Sequence, residues 1–295
     1  MSPRFRRIGV VYNPMAGGGQ HRRSLPRLLD LLRAQGVEVL ELPTERAGHA
    51  TELARAALAD VDAVCAMGGD GTVNEVINGI AETGVPLLIV PTGTVNVLAL
   101  ELGIPLDPPD ACRLAAKGQL SRIDLGLAGE RYFALMAGVG LDAAVISSIN
   151  PTLKKALREA AFAVQGLATF LRRDFPLVRV ETAEQTVEGY FVVLGNSANY
   201  GGGFGITSRA SMRDGLLDVC VLQTISPFET AHYWLAALVN SHLRHPNVQY
   251  WRTERATVSV VEGEEEVPVQ TDGEVAGVLP MECRVAPAAL RVIVP

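Results

Sequence analysis

The sequence predicts an α/β protein in two parts, a parallel sheet followed by a mainly antiparallel, sandwich-like β domain. Three observations carry this. Up to about residue 125, short apolar runs alternate with helical patterns, the arrangement that parallel crossover connections require. Glycine-rich stretches follow three of those runs at their carboxyl ends. After Asp124 the helical patterns give way to glycine-punctuated, β-rich segments.

The elements follow in order. Residues 8–12, 37–42, 63–67 and 86–90 are apolar runs of strand length, and the patterns between them predict helices at about 22–34, 50–59 and 73–81. Strands buried on both faces read as such continuous runs. The stretches NPMAGGG (13–19), GGDGT (68–72) and PTGTVN (91–96) close the first, third and fourth strands. Open parallel sheets hold their ligands at that edge, so the three turns define one site. Beyond them, 132–140, 177–182, 189–203, 216–222 and 256–261 read as strands, with longer helical patterns at 153–173 and 227–245. The boundary falls in GLAGER (126–131), which divides the chain into 1–125 and 126–295. EGEEE (262–266) suits a solvated hairpin tip, and the sequence has no internal repeat.

Composition narrows the function. A chain of 295 residues with 48% hydrophobic residues supports two domains with real cores. With 26 Lys+Arg against 32 Asp+Glu, the net charge of -6 argues against nucleic acid as a partner. Cys65, Cys112, Cys220 and Cys283 stand singly without metal-ligand spacing, as reduced thiols do. The apolar run after Arg4, Arg6 and Arg7 is too short for a signal peptide or a membrane span, and the expectation is a cytoplasmic protein.

The stretch GGDGT carries chemistry. Adjacent glycines let the backbone turn with positive φ and leave its N–H groups uncovered, and the helix opened by Thr72 adds its positive dipole end. A polyanion such as a nucleotide phosphate fits there. A tight strand-to-helix turn without a ligand is the plainer alternative. Asp70 cannot face a phosphate directly, and acts instead through Mg²⁺ or its waters.

Together with TERAGHATELA (44–54), PTGTVNVLA (91–99), RIDLG (122–126) and MRDGLLDV (212–219), these motifs resemble the bacterial diacylglycerol-kinase-like lipid kinases, relatives of sphingosine and ceramide kinases. The resemblance spans nearly the whole chain. It implies an ATP-binding α/β domain of the kind also found in NAD kinases, then a β-sandwich-like domain. It places the nucleotide on Asn13, Thr44, Gly68, Gly69, Asp70, Gly71, Thr72, Val73, Asn74 and Thr94, with a helix N-cap as the alternative for either threonine. It carries a cation site over to Ser211, Asp214 and Leu216, where Asp214-Gly215 also suits a simple turn. It places the general base at Glu274, although Asp272-Gly273 is equally a hairpin signal that would leave Glu274 on an exposed strand.

One departure bears on the acceptor. Many diacylglycerol-phosphorylating members read GTxNDFA where this chain reads Gly93-Thr94-Val95-Asn96-Val97-Leu98-Ala99, so the acidic group is missing. Lysine occurs only at Lys117, Lys154 and Lys155, which leaves phosphate charge to backbone amides, Mg²⁺ and arginines such as Arg22, Arg23 or Arg209. The reading is transfer of phosphate from MgATP to the hydroxyl of a lipid such as diacylglycerol. An NAD-kinase-like enzyme with a soluble acceptor and a catalytically weak nucleotide- or lipid-binding relative are the alternatives. The stripe at 153–173, with basic clusters at both ends, suits either core packing or transient peripheral contact with an anionic membrane, as does 227–245. Oligomeric state stays open, a dimer included. No histidine cluster suggests a metal, and His49 reads as a residue that packs or hydrogen-bonds at a helix start.

Overall fold

The computed structural model describes residues 5–15, 20–140, 175–199, 205–263 and 266–295. The expected helix at 153–173 and residues 264–265 of the acidic run lie outside them. The chain divides into two compact units, 1–124 with 287–295 and 125–286.

In the first unit, strands β1 (Arg7–Tyr12), β2 (Glu38–Pro43), β3 (Ala63–Gly68) and β4 (Leu87–Pro91) pair in parallel in the order β2-β1-β3-β4. β3 and β4 are buried along their whole length, which is why they read as unbroken apolar runs. Helices α1 (Gln20–Arg33), α2 (His49–Ala57) and α3 (Asp70–Ile80) follow the first three strands. Chain order reverses between β1 and β3, the switch point at which such sheets open a crevice. Three short helices, α4 (Val97–Glu101), α5 (Pro108–Cys112) and α6 (Leu114–Lys117), complete the stretch before strand β5 (Gln119–Ala128).

Two details differ from the sequence expectation. α3 begins at Asp70 rather than near 73, because Gly69 takes the N-cap position and the motif's own Asp70 and Gly71 form the first helical turn. Residues 287–295, expected with the β domain, belong to the first unit. They end a long strand, β16 (Met281–Val294), in which Val292 pairs in parallel with Leu87 of β4. The chain thus passes between the units twice, within β5 and within β16.

The second unit contains β6 (Arg131–Phe133), β7 (Met136–Gly140), β8 (Val178–Glu181), β9 (Thr186–Gly189), β10 (Phe191–Gly195) and β11 (Leu217–Leu222). Helix α7 (Pro227–Leu238) and strands β12 (Val248–Thr253), β13 (Arg255–Val260), β14 (Pro268–Thr271) and β15 (Glu274–Val278) follow. One layer is antiparallel in the order β12-β11-β10-β7-β14-β15. In the other, β13 lies between β8 and the start of β16, again antiparallel. Val139, Val192, Leu194, Val219 and Val269 of the first layer share one core with Val178, Val180, Val258, Cys283 and Val285 of the second, which makes this unit a β-sandwich.

All four cysteines are free and buried. Burial pushes the thiols of Cys112, Cys220 and Cys283 up to about 12, so they stay protonated and inert at neutral pH. Among the described residues no helix is long and apolar enough to cross a membrane.

Candidate active site

At the carboxyl edge of the parallel sheet the GGDG and PTGT turns lie against each other. Thr92 N–H donates to the Gly68 carbonyl at 2.9 Å, continuing the β3–β4 pairing past the strand ends. A Cβ built on Gly93 would stand 2.5 Å from the Cα of Gly69, and one on Gly69 would stand 3.2 Å from the Cα of Gly93. Both glycines are needed for this approach. The expected positive φ is not the reason: Gly69 is extended at φ −92° and ψ −174°, and Gly68, Gly71 and Gly93 also lack positive φ. Space, not handedness, selects glycine here, with the same consequence that backbone amides stand uncovered.

Asp70 holds the two turns together. Its Oδ2 accepts the Asn96 N–H at 3.0 Å and its Oδ1 the Val97 N–H at 2.7 Å, so it caps α4 from another element. Burial raises its carboxyl from the ordinary range, against the lowering effect of those amides. Asp70 is therefore part of the framework, whereas the sequence reading gave it only a role toward Mg²⁺. Asn96, missed in the sequence, completes the turn. It sits at φ 55°, accepts the Gly93 N–H on Oδ1 at 3.1 Å and donates from Nδ2 to the Gly93 carbonyl at 3.0 Å. The signal was available, since asparagine tolerates left-handed backbone better than most residues.

The neighbouring segments are fastened in the same way. Glu75 of α3 accepts the Gly48 and Ala50 N–H groups, each at 3.0 Å, and so caps α2, whose own N-cap Gly48 has no side chain to do it. Thr44 donates its N–H to the Tyr12 carbonyl at 2.8 Å, beside Asn13, whose Oδ1 accepts Met15 N–H at 2.8 Å. Neither threonine is an N-cap, because Gly48 and Asn96 hold those positions. Thr94 is exposed and Thr44 half-buried. Val73 and Asn74 are buried, so Val73 offers the site only its backbone. Thr72 is half-buried above Gly68. Thr92 Oγ1 is buried without a hydrogen-bond partner. His49 opens α2, where its Nδ1 accepts Glu45 N–H at 3.2 Å.

In the second unit Asp272-Gly273 forms the two-residue turn between β14 and β15, with φ 48° and 85°. Asp272 then reaches away from the hairpin and accepts the N–H groups of Ala134 (2.7 Å), Leu135 (2.9 Å) and Met136 (3.0 Å), the break between β6 and β7. Glu274 is the first residue of β15 and forms an ion pair with Arg131 of β6. Asp214 Oδ1 accepts Leu216 N–H at 3.2 Å and its Oδ2 lies 3.7 Å from Arg252, in a turn completed by Gly215 at φ 73°. Nearby, the Arg209 guanidinium lies over the Tyr250 ring, 5.7 Å from its centre.

The chain thus consists of a parallel α/β unit with paired glycine turns at the carboxyl edge of its sheet, and a β-sandwich. Two family models match the chain, the diacylglycerol kinase catalytic domain over 7–128 and the YegS C-terminal NAD kinase beta sandwich-like domain over 136–294. The chain is 31% identical to a diacylglycerol kinase of Staphylococcus saprophyticus over 280 residues, 93% of this chain and 91% of that protein. It is likewise 31% identical to a diacylglycerol kinase of Bacillus subtilis over 287 residues, 94% and 93% of the two chains. The crystal structure of a putative diacylglycerol kinase from Bacillus anthracis shares the fold, with a TM-score of 0.85 at 24% identity over 100% of this chain and 97% of that one. The chain belongs to the bacterial diacylglycerol-kinase-like lipid kinase family, and is a kinase, a phosphotransferase.

Proposed function

We propose that the protein transfers the γ-phosphate of ATP to the hydroxyl of a lipid such as diacylglycerol. The observation that carries this reading is the Gly69–Gly93 contact, a close pair of turns whose backbone a single Cβ would obstruct, at the carboxyl ends of the adjacent parallel strands β3 and β4. Amides of the Gly69–Thr72 turn and of Thr94 would hold the phosphates, with the uncapped amino end of α3 adding its dipole. Asn13, Thr44 and Thr94 offer side chains to phosphate or ribose oxygens, and the buried Thr92 hydroxyl beside them has no hydrogen-bond partner. Both Asp70 oxygens face backbone amides, so Asp70 would reach a metal only through its waters.

Ser211, Asp214 and Leu216 fit Mg²⁺ by donor type, as does Asp70 through water. Bound Mg²⁺ supplies charge neutralisation to the phosphates. The acceptor hydroxyl must lose its proton as its oxygen bonds to the γ-phosphorus and ADP leaves. Glu274 takes that proton; Arg131 holds its Oε2, so Oε1 is the oxygen on offer. The protein works on lipid at a membrane surface through transient peripheral contact.

Labelled ATP with detergent-dispersed diacylglycerol or with NAD tests the acceptor. Label in the extracted lipid is expected, and transfer to NAD alone would contradict the reading. Glu274→Gln should lower kcat by roughly two to four orders of magnitude with ATP KM unchanged. Near-normal kcat would return Glu274 to the hairpin as a half-buried strand residue paired with Arg131.

A further inference from the structure

The sequence, with five histidines scattered along it, suggests no metal cluster, yet folding brings three ligand-type side chains together. Glu229 and His232 stand one turn apart on α7, and His245 follows the short 3₁₀ turn His242–Arg244. Their donor atoms all lie within 4.8 Å of one another. The Glu229 Oε2 and His245 Nε2 are 3.0 Å apart, and the two imidazole centres 4.9 Å.

The arrangement is not explained as an ion pair. His245 Nε2 is buried and, despite its distance from Oε2, has no hydrogen-bond partner, because the carboxylate lies off the direction its N–H would need. Two ligand-type atoms 3.0 Å apart with no hydrogen bond between them resemble two ligands of one tetrahedral ion, whose bonds run about 2.0–2.2 Å. Asn247 reaches both of them. Its Nδ2 donates to Glu229 Oε2 at 3.3 Å, and its backbone N–H lies 3.2 Å from His245 Nδ1. The first of these is the kind of outer contact that orients a metal-ligating carboxylate. His232 is exposed, so it can swing the remaining distance.

We propose that Glu229, His232 and His245 form a Zn²⁺ site, with water in the fourth position, that clasps the first turn of α7 to the 242–247 segment. Two imidazoles and a carboxylate select Zn²⁺ over Mg²⁺, which prefers six oxygen donors. Loading requires the His245 ring proton on Nδ1, so the contact with the Asn247 amide is released as the ion enters. The site is separate from the residues assigned to phosphate transfer.

The test is calorimetric titration of ZnCl₂ into the full chain after chelator treatment and dialysis, with melting followed in parallel. One Zn²⁺ per chain is expected, with a rise in Tm that Mg²⁺ does not reproduce. His232→Ala, an exposed change that leaves the buried ring in place, and Glu229→Gln should each weaken binding at least about tenfold and abolish the Tm rise, while His49→Ala changes neither. No saturable binding, or an affinity unchanged in either of the first two variants, would overturn the site.

Discussion

The pairs Asp70-Gly71 and Asp272-Gly273 share a dipeptide and one mode of action on different backbones. In the first unit the pair opens a helix, and its carboxylate accepts two amides of a neighbouring turn. In the second it makes a hairpin turn with both residues at positive φ, and its carboxylate accepts three amides of a neighbouring strand break. Each aspartate fastens a distant segment. The difference lies beside it: the glycines flanking Asp70 leave bare backbone against Gly93, whereas the hairpin leaves nothing near Gly273 and only an ion pair at Glu274. A clamp becomes a binding site when the fastened elements present open amides.

The largest expected effect belongs to the clamp with more bonds. Asp272→Ala strands three amides and should cost about 3 kcal/mol of stability by denaturant unfolding, with ATP affinity unchanged below the transition. A loss under about 1 kcal/mol would mean that water replaces the carboxylate. Asp70→Asn exchanges one acceptor for a donor facing an N–H, and should cost about 1–2 kcal/mol while abolishing phosphoryl transfer. Full stability with full activity would sink both of its roles.

A third aspartate gives the smallest effect and sharpens the meaning of clamping. Asp218 is buried; its Oδ1 accepts the Tyr250 hydroxyl at 2.6 Å, but its Oδ2 has no partner. Desolvation raises its carboxyl above the usual range. Folding therefore favours its protonated form, and the charged form is a cost that is relieved as pH falls through the raised folded pKa toward the unfolded value near 4. Relative to Asp218→Asn, the wild type should gain stability as pH drops from neutral to about 4. A stability difference that stays flat across this range would show that the carboxyl is not perturbed.

How much of this was legible follows from what each element depends on. β1, β3 and β4 were readable because burial on both faces writes itself as continuous apolar runs, and the glycine turns stood out at their ends. The start of α3 was misjudged because Asp70 and Gly71 are poor helix formers that serve a first turn well. The return of 287–295 to the first unit rests on a pairing between Val292 and Leu87, which no local pattern announces. Asp70's grip on Val97 is equally long-range, as is the meeting of Glu229 and His232 with His245. The hairpin reading of Asp272-Gly273 needed only two residues and was available at once, but the role of its carboxylate was not.

The central claim is that the paired backbones of Gly69 and Gly93 receive the nucleotide phosphates, and binding of MgATP to Gly93→Ala, measured by calorimetry, tests it most directly. The added Cβ would stand 2.5 Å from Gly69 Cα and 2.8 Å from Asn96 Oδ1, so the turns must part. Affinity should fall at least about tenfold, the scale of one lost hydrogen bond. Gly84→Ala, at positive φ with nothing within 4 Å, should lower stability and leave affinity alone. Wild-type affinity in a folded Gly93→Ala protein would contradict the account.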